Sequence, residues 1–294
     1  ANLDDGSCEY PDNGDYSLQF DGVDNNIIIG DVLDDVFTGN NASFVVEAWF
    51  KPSTLSGANN IVSKYGDSEC GENQRQWSLY LKDGKLAGYA SEILASGDNM
   101  ILMGNTVLNV GEWYHVAMVY QAGQEIELYL NGAPESTTLS GEVIDGIEDG
   151  TAPIKVGGKC ANSNEDMFNG LIDEISIWNQ VLTQEEIQTN IDTDLSGNEA
   201  GLVGFWKFNA GTGTTLYDHS GNSNHGIING SKWLINGTKH VTVDGSDEEG
   251  NGSLDSPFAS IQNAINMSTY GDTILVSAGT YTENINFNGK NIAL

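Results

Sequence analysis

Gly170-Leu-Ile-Asp-Glu-Ile-Ser-Ile-Trp178 runs straight into Asn-Gln-Val-Leu-Thr-Gln-Glu-Glu-Ile187. In the first half Leu171, Ile175 and Ile177 alternate with Asp173, Glu174 and Ser176, the period of a strand with one buried face. In the second half Thr183-x-x-Glu186 is a capping box. There the threonine side chain accepts an N–H of the first turn and the glutamate reaches back to the cap, so a short amphipathic helix opens. Two periods meet at this junction.

Outward from it, short β-like runs lie at 16–20, 26–29, 43–51, 60–64, 76–82, 85–90, 113–120, 125–130, 154–156 and 171–178, separated by Gly, Asn and Asp turns. Their even spacing argues for an antiparallel β-sandwich. Lys82-Asp-Gly-Lys85 and Leu130-Asn-Gly-Ala133 carry the Asp-Gly and Asn-Gly signals of tight hairpins, whose turns need two positive φ values.

The 294 residues allow one large or two ordinary domains, and 39% hydrophobic residues are enough to fill a core. Eleven Lys plus Arg face 42 Asp plus Glu, a formal charge of −31. That balance excludes nucleic acid as a partner, since phosphate binding needs basic groups, and disfavours anionic membranes. A surface so acidic repels itself unless salt or cations neutralise it. It suits saline, calcium-containing surroundings outside the cell, or serves solubility alone. No run of 18 apolar residues spans a membrane. Ala1 is not a natural start and Leu294 stops inside an apolar strand pattern, so the chain is expected to be a piece of a longer protein.

Five further blocks agree in order with the junction: Leu18-Gln-Phe-Asp-Gly-Val-Asp24, Phe44-Val-Val-Glu-Ala-Trp-Phe-Lys-Pro52, Gly111-Glu-Trp-Tyr-His-Val-Ala117, Leu128-Tyr-Leu-Asn-Gly132 and Gly201-Leu-Val-Gly-Phe-Trp-Lys-Phe208. Together they resemble the laminin-G-like, concanavalin A-like (LamG-type) jelly-roll domains of bacterial surface proteins. The resemblance implies an all-β antiparallel sandwich over 15–235. Such sandwiches serve as sugar-binding modules, adhesion modules or spacers. Residues 199–233 resemble a segment that opens domains of this family yet follow the strand-helix signature here, as in a permuted sandwich. The expectation is that 202–208 pairs beside 16–20 and that 226–233 completes the other face. Residues 1–14 resemble the tail of an acidic, Cys-containing repeat. From 236 to 294, His240-Val-Thr-Val-Asp244, Ile261-Gln-Asn-Ala-Ile265, Gly271-Asp-Thr-Ile-Leu-Val276 and Gly279-Thr-Tyr-Thr-Glu-Asn-Ile285 resemble the start of a pectin-lyase-like right-handed parallel β-helix. That likeness makes 260–267 an N-terminal capping helix and 273–276 and 285–287 the rungs of a first coil.

The best cation candidate is Tyr217-Asp-His-Ser-Gly-Asn-Ser-Asn-His-Gly226, which places Asp218, Ser220, Asn222 and Asn224 two residues apart around a glycine turn. Calcium takes oxygen ligands from such loops. No bidentate Glu closes the loop, so it is not an EF-hand. The resemblance nominates Asp173 as a carboxylate from the neighbouring strand. Asp21 either joins the same ion or fixes its own turn, and Asp218 with the asparagines could equally form Asx-turns.

Cys70 and Cys160 are the cysteines of the expected sandwich, each in a polar loop. A disulfide between them would close about 90 residues and add several kcal/mol in the chain-entropy account. Neither has a Cys or His two to four residues away, which makes zinc improbable. Such a bridge would gather loops at a rim where these domains bind ligands. Arg75, Asn73, Asn162, Asn164 and Glu165 supply hydrogen bonds there, and Tyr65, Tyr89 or Trp77 an aromatic platform for a sugar. Trp77 has a second reading as core, like Trp49, Trp113, Trp178 and Trp206.

Nothing in the chain matches a serine triad, zinc-protease motif, phosphate loop or dinucleotide fingerprint. His115 lies in the Trp-Tyr-His-Val-Ala strand, His219 and His225 flank the cation loop, and His240 opens the second domain. The sequence is therefore read as a non-catalytic, calcium-stabilised carbohydrate-binding or adhesion module of a secreted or cell-surface protein. Its partner would be extracellular polysaccharide or a cell-surface glycan, with neighbouring copies or domains of a surface protein as a further expectation. A structural or filament-forming module without sugar binding is the alternative. A polysaccharide-degrading enzyme ranks third.

Overall fold

In the computed structural model the described residues are 10–11, 15–66, 74–92, 99–159, 166–268, 272–287 and 292–294. In chain order the first elements are β1 (Tyr16–Asp21), β2 (Asn26–Gly30), α1 (Asp34–Phe37), β3 (Ser43–Pro52), β4 (Ala58–Gly66), β5 (Gln74–Lys82) and β6 (Lys85–Ser91). Next come β7 (Asn99–Gly104), β8 (Tyr114–Gln121), β9 (Glu127–Leu130), β10 (Ala133–Pro134), β11 (Thr137–Gly141), β12 (Ile154–Val156) and β13 (Asn169–Trp178). The last are α2 (Gln184–Asp192), β14 (Leu202–Trp206), β15 (Thr215–Leu216), β16 (Gly226–Asn229), β17 (Lys232–Ile235), β18 (Thr238–Val241), α3 (Ile261–Met267) and β19 (Thr273–Val276). Among the described residues no helix is long and apolar enough to cross a membrane.

The described residues fall into two compact units, one of Tyr10, 20–207 and 214–231, the other drawn from 11–19, 208–213 and 232–294. In the first unit one antiparallel sheet runs β10-β9-β8-β3-β13, with β14 also paired to β13, and a second runs β11-β7-β6-β5-β4-β12-β2-β16-β15. Asp83 and Gly84 (φ 49° and 77°) turn β5 into β6, and Asn131 and Gly132 (φ 50° and 74°) turn β9 into β10. Both hairpins thus use the positive φ pair that their sequences favour.

The two sheets share one core. In β5, Trp77, Leu79 and Leu81 are fully buried, and Trp77 meets Phe37 and Phe44 with ring centroids 5.0 and 5.8 Å apart. Phe20, Phe50 and Phe168 form a second aromatic contact set. Gly88 of β6 lies where a Cβ would stand 3.1–3.2 Å from Ile126, Leu128 and Met118, so absence of a side chain permits the close packing of the sheets. The strand-helix junction at 170–187 is built as expected. Thr183 caps α2 reciprocally with Glu186, and Ile187 is buried with Val45, Ala117, Val119, Tyr129, Trp178, Leu182, Leu202 and Phe205. The helix therefore covers one face of the β8-β3-β13 sheet.

Two strand partners differ from expectation. β14 pairs with β13 (Ile175↔Trp206), whereas β1 pairs with β17 (Leu18↔Trp233) in the second unit. The alternating pattern of 202–206 specifies a buried strand but not its neighbour. Residues 226–229 do join the other sheet, on β2. Strands β7 and β11 pair with each other (Leu102↔Leu139) although neither was expected from the sequence. β11 reads Thr-Thr-Leu-Ser-Gly and is mostly exposed, too weak a period to stand out.

In the second unit β18 and β19 pair in parallel (Lys239↔Ile274), with α3 between them in sequence. Further parallel bridges join Val241 to Phe258 and Thr273 to Ala293. Ser260 caps α3 by accepting the N–H of Asn263. Residues 273–276 are a strand as expected, but 285–287 are not.

Candidate functional site

β4, β5 and β6 present their second face away from the shared core, and a depression of about 210 Å³ lies there. Alternation explains half of it: Ser78 and Tyr80 point opposite to Trp77, Leu79 and Leu81. Register does the rest. Ser78 stands across from Tyr89 and Tyr80 from Asn60, while Tyr89 faces Ile101 of β7. Register shifts at Asn60/Val62 and Lys64/Tyr65 break strict alternation in β4, and both Asn60 and Tyr65 line the same hollow. Bulges commonly re-aim side chains in this way.

Three tyrosines, Tyr65, Tyr80 and Tyr89, supply aromatic surface, with Tyr65 and Tyr89 edge-to-face at 5.4 Å. Lys159 and Asp166 complete the lining as an ion pair, and the Lys159 ammonium lies 5.3 Å from the Tyr65 ring centre. The backbone carbonyl of Asp166 accepts from the Asn60 N–H (2.9 Å) and from its Nδ2 (3.1 Å). Ser78 Oγ donates to Asn60 Oδ1 at 2.6 Å. Burial first, then Asp166 and Tyr89, push the Tyr80 hydroxyl up to about 12, so it keeps its proton at neutral pH. Arg75 lies beside this hollow, its guanidinium 5.6 Å from the Tyr65 ring centre.

The expected sugar-site residues divide. Arg75, Tyr65 and Tyr89 come together at one place. Trp77 does not: it is fully buried between the sheets, as alternation with Ser78 requires, and is corrected from platform to core. Asn73, Asn162, Asn164, Glu165, Cys70 and Cys160 lie outside the described residues, and so does Cys8.

The expected cation ligands are each held in local hydrogen bonds. Asp218 is fully buried; its Oδ1 accepts the N–H groups of Phe205 (3.0 Å) and Ser220 (2.9 Å), and its Oδ2 that of Asn224 (2.9 Å). Asn222 Nδ2 donates to the Val203 carbonyl and to Ser220 Oγ. Asp21 Oδ1 accepts from Val23, Asp24 and Asn25, and Asp173 Oδ1 from Glu174. With four lone-pair sites on a carboxylate, Asp218 keeps one, enough for a monodentate ligand and no more. Among the described residues no three His, Cys, Asp or Glu side chains converge as a metal site. His219 and His225 instead pack edge-on against Tyr10, which stacks on Tyr217.

A second polar cluster lies beneath α2. Glu47 Oε2 accepts from Trp178 Nε1 (2.8 Å), Asn190 Nδ2 (2.8 Å) and Ser176 Oγ (3.1 Å), and its Oε1 stands 3.6 Å from His115 Nε2. Burial raises the Glu47 carboxyl to about 7 and depresses the His115 imidazole to about 4. Both groups are thus uncharged between those values. Only 2% of Glu47 is exposed, so no substrate reaches it.

Residues 21–188 match the family model Laminin_G_3, described as the concanavalin A-like lectin/glucanases superfamily. The chain belongs to that family. A stretch of 87 residues is 38% identical to pappalysin-1 of Homo sapiens, and one of 85 residues is 32% identical to pappalysin-1 of Mus musculus. Either stretch is 28% of this chain and 5% of the relative, so the chain spans a small part of the length of the curated relatives it matches. Among solved structures, a "putative carbohydrate binding protein" of Bacteroides ovatus ATCC 8483 shares the fold at a TM-score of 0.53 and 19% identity, over 75% of this chain and 60% of that one.

Within this lectin-like fold, the sequence reading missed Tyr80, Lys159, Asp166, Asn60 and Ser78. Tyr80 left a usable signal, since it shares the parity of Ser78 against a fully apolar run. Asp166 left none, because only folding brings its loop to β4.

Proposed function

We propose that the chain is a non-catalytic carbohydrate-binding module acting outside the cell, with extracellular polysaccharide or a cell-surface glycan as its partner. The observation that carries this reading is the Tyr65–Tyr80–Tyr89 hollow on the outer face of β4, β5 and β6, edged by amide, hydroxyl, ammonium and carboxylate groups. Aromatic faces pack against the C–H surface of a pyranose while such groups bond its hydroxyls. The Bacteroides ovatus protein of similar fold bears the description "putative carbohydrate binding protein", in keeping with this reading. Glu47 has the raised acidity range of a general acid, yet it is sealed beneath α2, which favours recognition over hydrolysis.

The test is a glycan array probed with the full chain and with Tyr89→Ala. Binding that falls by about tenfold or more in the variant is expected from loss of one stacked ring. Binding to no glycan would leave the chain a structural module.

Calcium enters the proposal as a structural ion beside Asp218, Asn222 and Asn224, with Asp173 or Asp21 as further oxygen ligands. A ligand bound only by the folded state raises Tm, so a chelator should lower it. An unchanged Tm would assign these residues to hydrogen bonding alone. The disulfide Cys70–Cys160 belongs to the same proposal and is checked by mass before and after reduction. The second unit is proposed as the start of a parallel β-helix, a reading supported by its parallel β18–β19 pair.

A further inference from the structure

We propose that the tyrosine hollow selects a neutral pyranose, held through a vicinal diol by Asp166 and Lys159, and discriminates against uronic or sulfated sugars. This inference rests on the carbohydrate-binding reading and narrows its ligand class.

Three observations carry it. First, the cation of the lining is already matched: Lys159 pairs with Asp166, so the lining itself carries no net charge, and Arg75 stands at its edge against the Tyr65 ring. A hydroxyl pair fits better, one O–H donating to the carboxylate and a neighbouring oxygen accepting from the ammonium. Second, Asp166 is held in place at some cost. It adopts φ 65°, the left-handed region that non-glycine residues seldom occupy, and its carbonyl is gripped twice by Asn60. The two bonds from Asn60 fix where the Asp166 carboxylate is presented to the hollow. Third, a molecule carrying −31 repels polyanions at long range, and the remaining groups of the lining (Asn60, Ser78 and the Tyr80 hydroxyl) are uncharged donors and acceptors.

The experiment titrates the full chain with neutral methyl pyranosides and the corresponding methyl uronides, at low and high salt, and repeats both with Asp166→Asn and Lys159→Gln. Wild type should bind the neutral sugar at least about tenfold more tightly than its uronide at low salt, with the gap narrowing as salt screens the repulsion. Asp166→Asn removes an acceptor and leaves Lys159 uncompensated. The neutral sugar should therefore weaken while the uronide strengthens, reversing the preference, a result that misfolding cannot produce. Lys159→Gln should weaken the uronide further. A wild type that prefers the uronide, or an Asp166→Asn variant whose preference does not move, overturns this inference and leaves carbohydrate binding standing. Failure of every sugar, neutral or acidic, overturns both.

Discussion

The outer faces of the two sheets present similar chemistry to different surroundings. On the β8-β3-β13 sheet a carboxylate, an imidazole, a serine, an indole N–H and an amide meet beneath α2, and Glu47 and His115 are buried. On the β4-β5-β6 face a carboxylate, an ammonium, a serine, an amide and three phenols meet, and among the described residues no helix contributes to the lining. Burial makes the difference in role. Beneath the helix every charge is driven towards neutrality, and the groups hold the helix in place. On the β4-β5-β6 face Lys159 and Asp166 share an ion pair that keeps partial access to solvent.

If that contrast is right, uncovering the first face should be costly and should leave the second face able to bind. Ile187→Ala removes the one fully buried side chain of α2 and should cost about 4 kcal/mol, the range for large-to-small changes in a packed core. Denaturant unfolding measures it. A loss below about 1 kcal/mol would mean that α2 does not seal the cluster.

The pH response sharpens the same contrast. Burial raises Glu47 from 4.5 to about 7, so its contribution is present below pH 4.5 and fades as pH climbs through 7. Burial depresses His115 from 6.5 to about 4, so its contribution is present above pH 6.5 and fades as pH falls towards 4. Between 4.5 and 6.5 the folded pair carries one proton, on Glu47, and the unfolded pair also carries one, on His115. Their opposing slopes cancel. Glu47→Gln deletes one slope, so its stability relative to wild type should rise with pH across this window by about 3 kcal/mol. Other titrating groups drop out of the difference. A difference that stays level would show that burial does not hold the His115 imidazole neutral in the folded chain.

How much of this was legible depended on whether the signal was local. The strand 169–178, the cap at Thr183, and the turns at Asp83-Gly84 and Asn131-Gly132 each rest on residues a few positions apart, and the structure contains all of them. Trp77 had two readings because a tryptophan suits a sugar platform and a core equally; the parity of its apolar neighbours Leu79 and Leu81 settles it. Strand partners were less legible, since the pattern of 202–206 reports a buried face and says nothing of β13 as its neighbour. The open site was legible only in part. Tyr65 and Tyr89 stood out as aromatics, but Asp166 meets β4 through its carbonyl's bonds to Asn60, a contact between residues far apart in sequence that hydrophobic periodicity does not encode.

The smallest expected effect tests whether the two faces are independent. Thr183 Oγ1 accepts the Glu186 N–H at 3.3 Å, and Glu186 Oε2 accepts the Thr183 N–H at 2.7 Å and its hydroxyl at 2.8 Å. Thr183→Ala removes the hydroxyl half of this box and leaves the other N–H bond, so it should destabilise by about 1 kcal/mol. The helix then frays at its exposed first turn while Ile187 and Asn190 still hold the rest. Because α2 packs on the β8-β3-β13 sheet, sugar affinity at the β4-β5-β6 hollow should be unchanged. An affinity that falls in step with the lost stability would show that the covered face transmits strain through the shared core to the open one, and the division of labour between the sheets would no longer hold.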